Sequence, residues 1–217
     1  AHIQQLMMKA FMGGITHGSY LHAGRILYDM ISYDETSAYP AMMLSEKYPA
    51  YQWVETTPKF ANNANREDWA ILYHVRLHNL ESKYINTYIL VSKAVNSHHL
   101  LYDKDVNITL DNGRLLSLEG DYIEMVLTEV DFDIIRECYD IGKIEYMECY
   151  RNIKEYLEPD MINYILDLYE QKTTLKGVTS EDGMAEALYM KSKQRINSVF
   201  GMCVTSVFKG EVVFEGS

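Results

Sequence analysis

Cysteine is scarce in this 217-residue chain: Cys138, Cys149 and Cys203 are the whole set, with no Cys-x-x-Cys spacing and one left odd. Such a set supports no disulfide framework, and a reduced, intracellular setting is the simplest reading. Long hydrophobic runs are missing too. No stretch of about 18 or more apolar residues occurs, so no helix spans a membrane and no membrane partner is expected. The opening residues, AHIQQLMMKAFMGG, have neither the charged nor the apolar region of a signal peptide. They do not begin with Met, as expected of an internal excerpt of a longer chain. No repeat or low-complexity tract is present.

Positive charge is also in short supply, with 20 Lys+Arg against 31 Asp+Glu and a net charge of −11. Taken whole, that argues against a polyanionic partner, because Lys and Arg drive phosphate binding. The deficit is local, however. Residues 119–170 hold 15 acids and 4 bases, and the rest of the chain is neutral. Residues 171–210 carry six bases (Lys172, Lys176, Lys191, Lys193, Arg195, Lys209) against three acids (Glu181, Asp182, Glu186). The acidic block reads as a solvated helical surface, and overall acidity excludes no ligand.

What is present describes a globular protein, with 47% hydrophobic and 24% charged residues. Residues 26–34, ILYDMISYD, are rich in β-formers and predict a strand. Tyr39-Pro40 predicts a turn from that extended segment into the next element. Residues 46–118 look β-rich, with strands at 70–78 and 84–92 and a hairpin at Asp111-Asn112-Gly113, whose Asn-Gly supplies positive φ angles. Thr128 with Asp131 resembles a capping box, opening a helix that ends near Gly142 and leads to a short strand at 143–150. A helix begins after Pro159, with Ile162, Ile165, Leu166 and Tyr169 at helical spacing, and another spans about 180–200. Strand-rich and helix-rich stretches are segregated, which predicts an α+β architecture.

Three patterns carry chemistry. In Asp34-Glu35-Thr36-Ser37-Ala38-Tyr39-Pro40 a carboxylate at the end of a strand is followed at once by a turn, where a hard cation can be held against phosphate oxygens. The plain alternative is an Asp capping a helix beside a Tyr-Pro turn. In Lys193-Gln194-Arg195-Ile196-Asn197-Ser198-Val199-Phe200-Gly201, residues 193, 197 and 200 fall on one helical face. They offer a cation, an amide and a ring to a triphosphate, a base edge and a stacked pair. The third pattern is Phe11-Met12-Gly13-Gly14, alone no more than a glycine turn. Together and in this order they resemble family B DNA polymerases, and the β-rich block from about 46 to 130, closed by LTEVDFDIIRECYDIGKIEY, resembles an insertion of the protein-primed phage and linear-plasmid type. DETSAYP stands for motif A (DxxSLYP), KQRINSVFG for motif B (KxxxNSxYG), and FMGG for the YxGG motif of the single-stranded template path.

The resemblance implies a partial polymerase palm with a β-rich insertion and a helical fingers subdomain. Residues 1–15 would end a linker from an exonuclease domain, 16–45 carry motif A and 46–152 form an insertion like the first terminal-protein region. Residues 153–204 would be fingers and 205–217 would return toward the palm. Asp34 and the backbone carbonyl of Glu35 would hold two Mg²⁺ ions, Asp34 being the catalytic carboxylate. Tyr39, Lys193, Asn197, Phe200 and Lys172 would bind the nucleotide. Phe11, Gly13, Gly14, Ser37 and Gly201 would contact DNA. Lys172 stands for the upstream phosphate-binding lysine, with Lys191 in reserve. Implied partners are a DNA primer-template, dNTPs and a terminal protein primer, in the cytoplasm of a phage-infected or plasmid-bearing bacterium. The reaction would be template-directed dNMP transfer to a primer 3′-hydroxyl or a terminal-protein hydroxyl.

The chain departs from the family pattern in places. Ala38 replaces Leu, and Phe200 replaces Tyr and so lacks its hydroxyl. No YxDTD follows Gly201, so the chain by itself is expected to be inactive, two-metal transfer needing a second carboxylate. Asp131-Phe132-Asp133 reads as a helix N-terminus and Asp103-Lys104-Asp105 as a turn. His74 and His78 lie on one face of a strand about 13 Å apart, and His98-His99 has no further ligands at zinc spacing, so none is read as a metal ligand. Two other readings remain at this stage. One is a non-catalytic nucleic-acid- or protein-binding module using the acidic block, and the other is an RNA-primed, cellular-type polymerase.

Overall fold

The computed structural model describes residues 2–16, 18, 22–35, 37–85, 87–178 and 183–203, the side chains of Phe200, Met202 and Cys203 excepted. The expectations for the Phe200 ring and for residues 205–217 therefore lie outside the described residues. The architecture is α+β, with helices and an antiparallel sheet, as the segregated patterning predicts. The chain divides into two units, Ala1–Asp34 with Tyr48–Glu155 and Glu35–Lys47 with Tyr156–Ser217.

The first unit is built on six strands: β1 (Tyr48–Pro49), β2 (Val54–Glu55), β3 (Trp69–Ser82), β4 (Asn107–Asp111), β5 (Arg114–Thr128) and β6 (Tyr139–Glu155). The order is β1-β6-β3-β5-β4, with β2 also on β6, and every pairing is antiparallel. Period-two alternation along β3 sorts its side chains. Ile71, Tyr73, Val75 and Leu77 point into the main core with Ile123, Met125 and Leu127. Helix α5 (Glu129–Cys138) supplies Phe132 and Ile135 to the same cluster. On the opposite face, Leu72 and Val126 are covered by Leu6 and Ala10 of helix α1 (His2–Ala10). Beyond that patch the face turns polar, and the register places His74 opposite Glu148 and Arg76 between Glu124 and Glu145. His74 Nε2 lies 2.9 Å from Glu124 Oε1, and Arg76 Nε donates to Glu124 Oε2 at 2.8 Å.

Local signals place several boundaries. Asn112 (φ 48°) and Gly113 (φ 80°) make the tight turn joining β4 to β5, as Asn-Gly demands. Thr128 Oγ1 accepts from Asp131 N–H and caps α5. That helix ends at Cys138, four residues short of the expected end at Gly142, because Tyr139 already belongs to β6. Tyr139 is buried and donates its hydroxyl to Leu115 O at 2.8 Å. Gly142 serves close approach instead, since a Cβ there would meet Asn79 Cβ at 3.0 Å and His78 O at 3.3 Å. The expected short strand at 143–150 is the middle of the much longer β6.

Two expected strands are not formed. Residues 26–34 have no ladder partner among the described residues, and Tyr28 is 80% and Tyr33 89% exposed; β-forming composition makes no strand without a neighbour to bond. Residues 84–92 yield a single bridge, Leu90 to Arg114, then a 3₁₀ turn at Val91–Lys93. Only at Ser117 and Leu118 is β5 paired on both sides, with β3 and with β4.

Among the described residues the second unit is three helices: α2 (Ala38–Ser45), α6 (Pro159–Leu175) and α7 (Met184–Cys203), counted with α3 (Pro58–Asn63) and α4 (Ser97–Tyr102) of the first unit. Tyr39-Pro40 sits within the first turn of α2 and not in a turn before it. Proline is tolerated there because first-turn N–H groups have no helical partner. Met43, Ile165, Leu168, Ile196 and Val199 form one buried cluster. The buried face of α6 is thus Ile165 with Leu168; Leu166 and Tyr169, expected to join it, are 46% and 40% exposed. No described helix is long and apolar enough to cross a membrane.

Candidate functional site

The turn preceding α2 carries an unusual backbone. Ser37, its N-cap, has φ 57° and ψ 42°, a left-handed conformation that costs a non-glycine residue about 1–2 kcal/mol. No side-chain capping bond offsets it. Instead Lys172 Nζ, in the last turn of α6, donates to Ser37 Oγ at 2.6 Å. The same ammonium lies 5.9 Å from the centroid of the Tyr169 ring. Asp34 and Glu35, just ahead of this turn, are exposed, Tyr39 is 49% exposed, and Pro40 is buried.

On α7 the buried positions are Ala185, Ser192, Ile196 and Val199, a stripe at sevens and threes or fours. Lys193 and Asn197 are exposed and lie one position round from that stripe, on the same flank about 40° apart at 100° per residue. Arg195 and Lys191, also exposed, fall on the opposite flank by the same geometry. Gly201 is half-buried at the helix's end.

Phe11 follows α1 and is 40% exposed, while Met12 packs against the main core. Gly13 has φ 73°, and nothing stands within 4 Å of a Cβ added at Gly13 or Gly14. The structure therefore brings Ser37 and Lys172 together, and sets Lys193 beside Asn197. Among the described residues no group of three His, Cys, Asp or Glu side chains has the geometry to hold a metal ion. Two contacts escape sequence reasoning: Arg114, which reaches Thr16 O at 3.0 Å, and Lys93, which reaches Phe11 O at 3.5 Å. Neither residue sits in a motif, and both contacts span more than eighty residues.

A family model described as DNA polymerase type B, organellar and viral, matches residues 2–217, nearly every residue discussed above. The chain belongs to this family. The type B polymerase fold is seen again in solved structures. Phi29 DNA polymerase complexed with primer-template DNA, in a post-translocation binary complex, matches with a TM-score of 0.54 and 23% identity over 80% of this chain and 25% of that one. Its ternary complex with primer-template DNA and incoming nucleotide substrates matches with a TM-score of 0.53 and 21% identity over 77% of this chain and 25% of the other. The type B chain described here thus spans about a quarter of the polymerases it resembles. No curated protein matches it.

Proposed function

We propose that this chain supplies the motif A turn, an inserted sheet domain and the nucleotide-binding fingers helix of a DNA-directed DNA polymerase. The observation that carries this reading is the Lys172–Ser37 bond, between two elements that also share the apolar cluster of Met43, Ile165 and Leu168. It ties the turn after Asp34-Glu35 to the helix pair that presents Lys193 and Asn197. Support comes also from the Phi29 relatives, described as complexes with primer-template DNA and incoming nucleotides.

Mg²⁺ takes hard oxygen ligands, and the exposed Asp34 carboxylate and Glu35 main-chain carbonyl are consecutive oxygens of that kind, so the donor set fits. When bound, such ions lower the pKa of an attacking hydroxyl and neutralise charge on a leaving pyrophosphate. The chain's own residues do the rest. Lys193 and Lys172 direct ammonium groups at triphosphate oxygens, where charge-assisted hydrogen bonds are strongest. Tyr39 packs beneath the sugar and excludes a 2′-hydroxyl. Asn197 lies under the nascent base pair, while Ser37 and Gly201 border the DNA. Phe11, Gly13 and Gly14 line the single-stranded template. The sheet unit inserted between the two motifs takes a terminal-protein primer, in the cytoplasm of a phage- or plasmid-bearing host.

Single-nucleotide incorporation on a primer-template, by the polymerase that carries this chain, tests the reading. Asp34→Ala should abolish incorporation while primer-template affinity stays unchanged. Incorporation retained by Asp34→Ala would overturn it.

A further inference from the structure

Arg114 opens β5 directly after the Asn112-Gly113 turn and is only 4% exposed, a depth at which a guanidinium must be partnered. Its partners are two main-chain carbonyls from different stretches of chain. Nη1 donates to Tyr88 O at 2.7 Å and Nη2 to Thr16 O at 3.0 Å. Thr16 stands two residues beyond the Phe11–Gly14 motif. Two further contacts hold that motif from behind: Lys93 Nζ on Phe11 O at 3.5 Å, and Met12 packed on the sheet's core. The opposite side is left open, with Phe11 40% exposed and free space over both glycines. The inserted sheet unit therefore grips the Phe11–Thr16 segment by its carbonyls and leaves Phe11 partly exposed and the glycine backbone open.

We propose that Arg114 is a positioning residue for the single-stranded template, fixing the path of residues 11–16 so that Phe11 and the glycine backbone meet the strand at a set distance. This rests on the reading of Phe11–Gly14 as a template contact. The planar fork of arginine suits the task, because it bonds two carbonyls at once in a fixed geometry; a lysine ammonium is a point charge on a flexible stem. Arg114→Lys keeps the charge and loses the span.

The test uses the polymerase that carries this chain and compares its affinity for a primer-template with a single-stranded overhang and for the same duplex with blunt ends. Arg114→Lys should raise the overhang Kd about 10-fold, the loss of one charge-assisted hydrogen bond. The blunt-duplex Kd and the dNTP KM at saturating DNA should not change. Phe11→Ala should weaken overhang binding alone, and adding it to Arg114→Lys should bring little further loss, since both act through one contact. An unweakened Phe11→Ala removes the template-path reading and the proposal with it. A weakened Phe11→Ala beside an unaffected Arg114→Lys overturns the role of Arg114 only, as does equal loss on overhang and blunt duplex. Should Arg114→Lys fail to fold, Lys93→Met decides: Lys93 is exposed, and its loss should raise the overhang Kd about 2-fold and leave the blunt Kd alone. No change in either overturns the proposal.

Discussion

Glu129 is 6% exposed and carries a charge into the sheet unit. Its Oε1 meets Lys154 Nζ at 2.6 Å and its Oε2 accepts from Ile71 N–H at 2.9 Å, while Lys154 also donates to Arg66 O at 2.9 Å. One ion pair thus ties β3, α5 and β6 at a single point. Glu129→Ala would leave the Lys154 ammonium, whose side chain is only 14% exposed, without its counter-charge, which costs up to about 3–5 kcal/mol. Urea unfolding should report that loss, and changing both residues to methionine should recover most of it. A loss under about 1 kcal/mol would mean the pair behaves as a solvated one. The neighbouring polar face responds to pH. Burial pushes the Glu124 carboxyl up, but hydrogen bonds from Arg76 and His74 outweigh it and hold its pKa below the ordinary 4.5. Glu148, hydrogen-bonded by His2 and Tyr150 against a smaller effect of burial, is held low as well. A carboxylate whose pKa is depressed by folding contributes stability above its unfolded value and loses it as pH falls through the folded one. Stability should therefore decline below about pH 4.5, and Glu124→Gln should flatten the decline while lowering stability at neutral pH. Unfolding curves between pH 7 and pH 3 check this, and an unaltered slope in Glu124→Gln would assign the acid sensitivity elsewhere.

Helix α7 carries the sharpest functional expectation at the scale of an element. With Ile196 and Val199 buried and Lys193 and Asn197 exposed on one flank, the ammonium and amide are free to face a nucleotide together. Lys193→Ala should lower kcat/KM about 10- to 150-fold, the loss of a contact worth about 1.5–3 kcal/mol, with primer-template affinity little changed. Arg195→Ala, on the opposite flank, is the control, and Lys191→Ala should resemble it. Equal losses for Lys193→Ala and Arg195→Ala would mean the wrong face has been chosen. The elements themselves divide by how local their signals are. The Asn112-Gly113 hairpin, the Thr128 cap and the start of α6 at Pro159 were legible because each depends on residues within one turn. Strand 26–34 was misread because composition reports a preference for β-structure and not the presence of a partner. The buried face of α6 was partly misread because α2 and α7 cover it from one side only, leaving Leu166 and Tyr169 in water. In the candidate site, residue types at motif spacing were readable. The Ser37–Lys172 contact was not, because it joins residues 135 apart through a left-handed turn that no serine announces.

At the scale of the whole chain, the block between the two motifs leaves and re-enters at one place. Tyr48 pairs with Glu155 and Pro49 with Lys154, so the ends of the block run side by side about 5 Å apart, as antiparallel partners do. The residues just outside it meet as well, Lys47 Nζ lying 5.6 Å from the centroid of the Tyr156 ring. A segment with adjacent ends can be removed without stretching what remains, because loop closure over a few residues is all that is required. Replacing residues 48–155 by a short Gly-Ser linker should therefore leave α2, α6 and α7 packed around Met43, Ile196 and Val199. It also uncovers Leu6 and Ala10 of α1, which rest on Leu72 and Val126, so the excised protein needs polar residues at those two positions to stay monomeric. If the block serves priming and processivity, and the chemistry resides outside it, the excised polymerase should still extend a short DNA primer by single steps. It should lose initiation on a terminal protein, or long strand-displacing runs, or both. Primer extension under a DNA trap, beside a terminal-protein labelling assay, separates these activities. Undiminished priming and run length after excision would refute a role for the block in either. Loss of single-step extension, with the helical unit still folded, would place part of the chemistry inside the sheet.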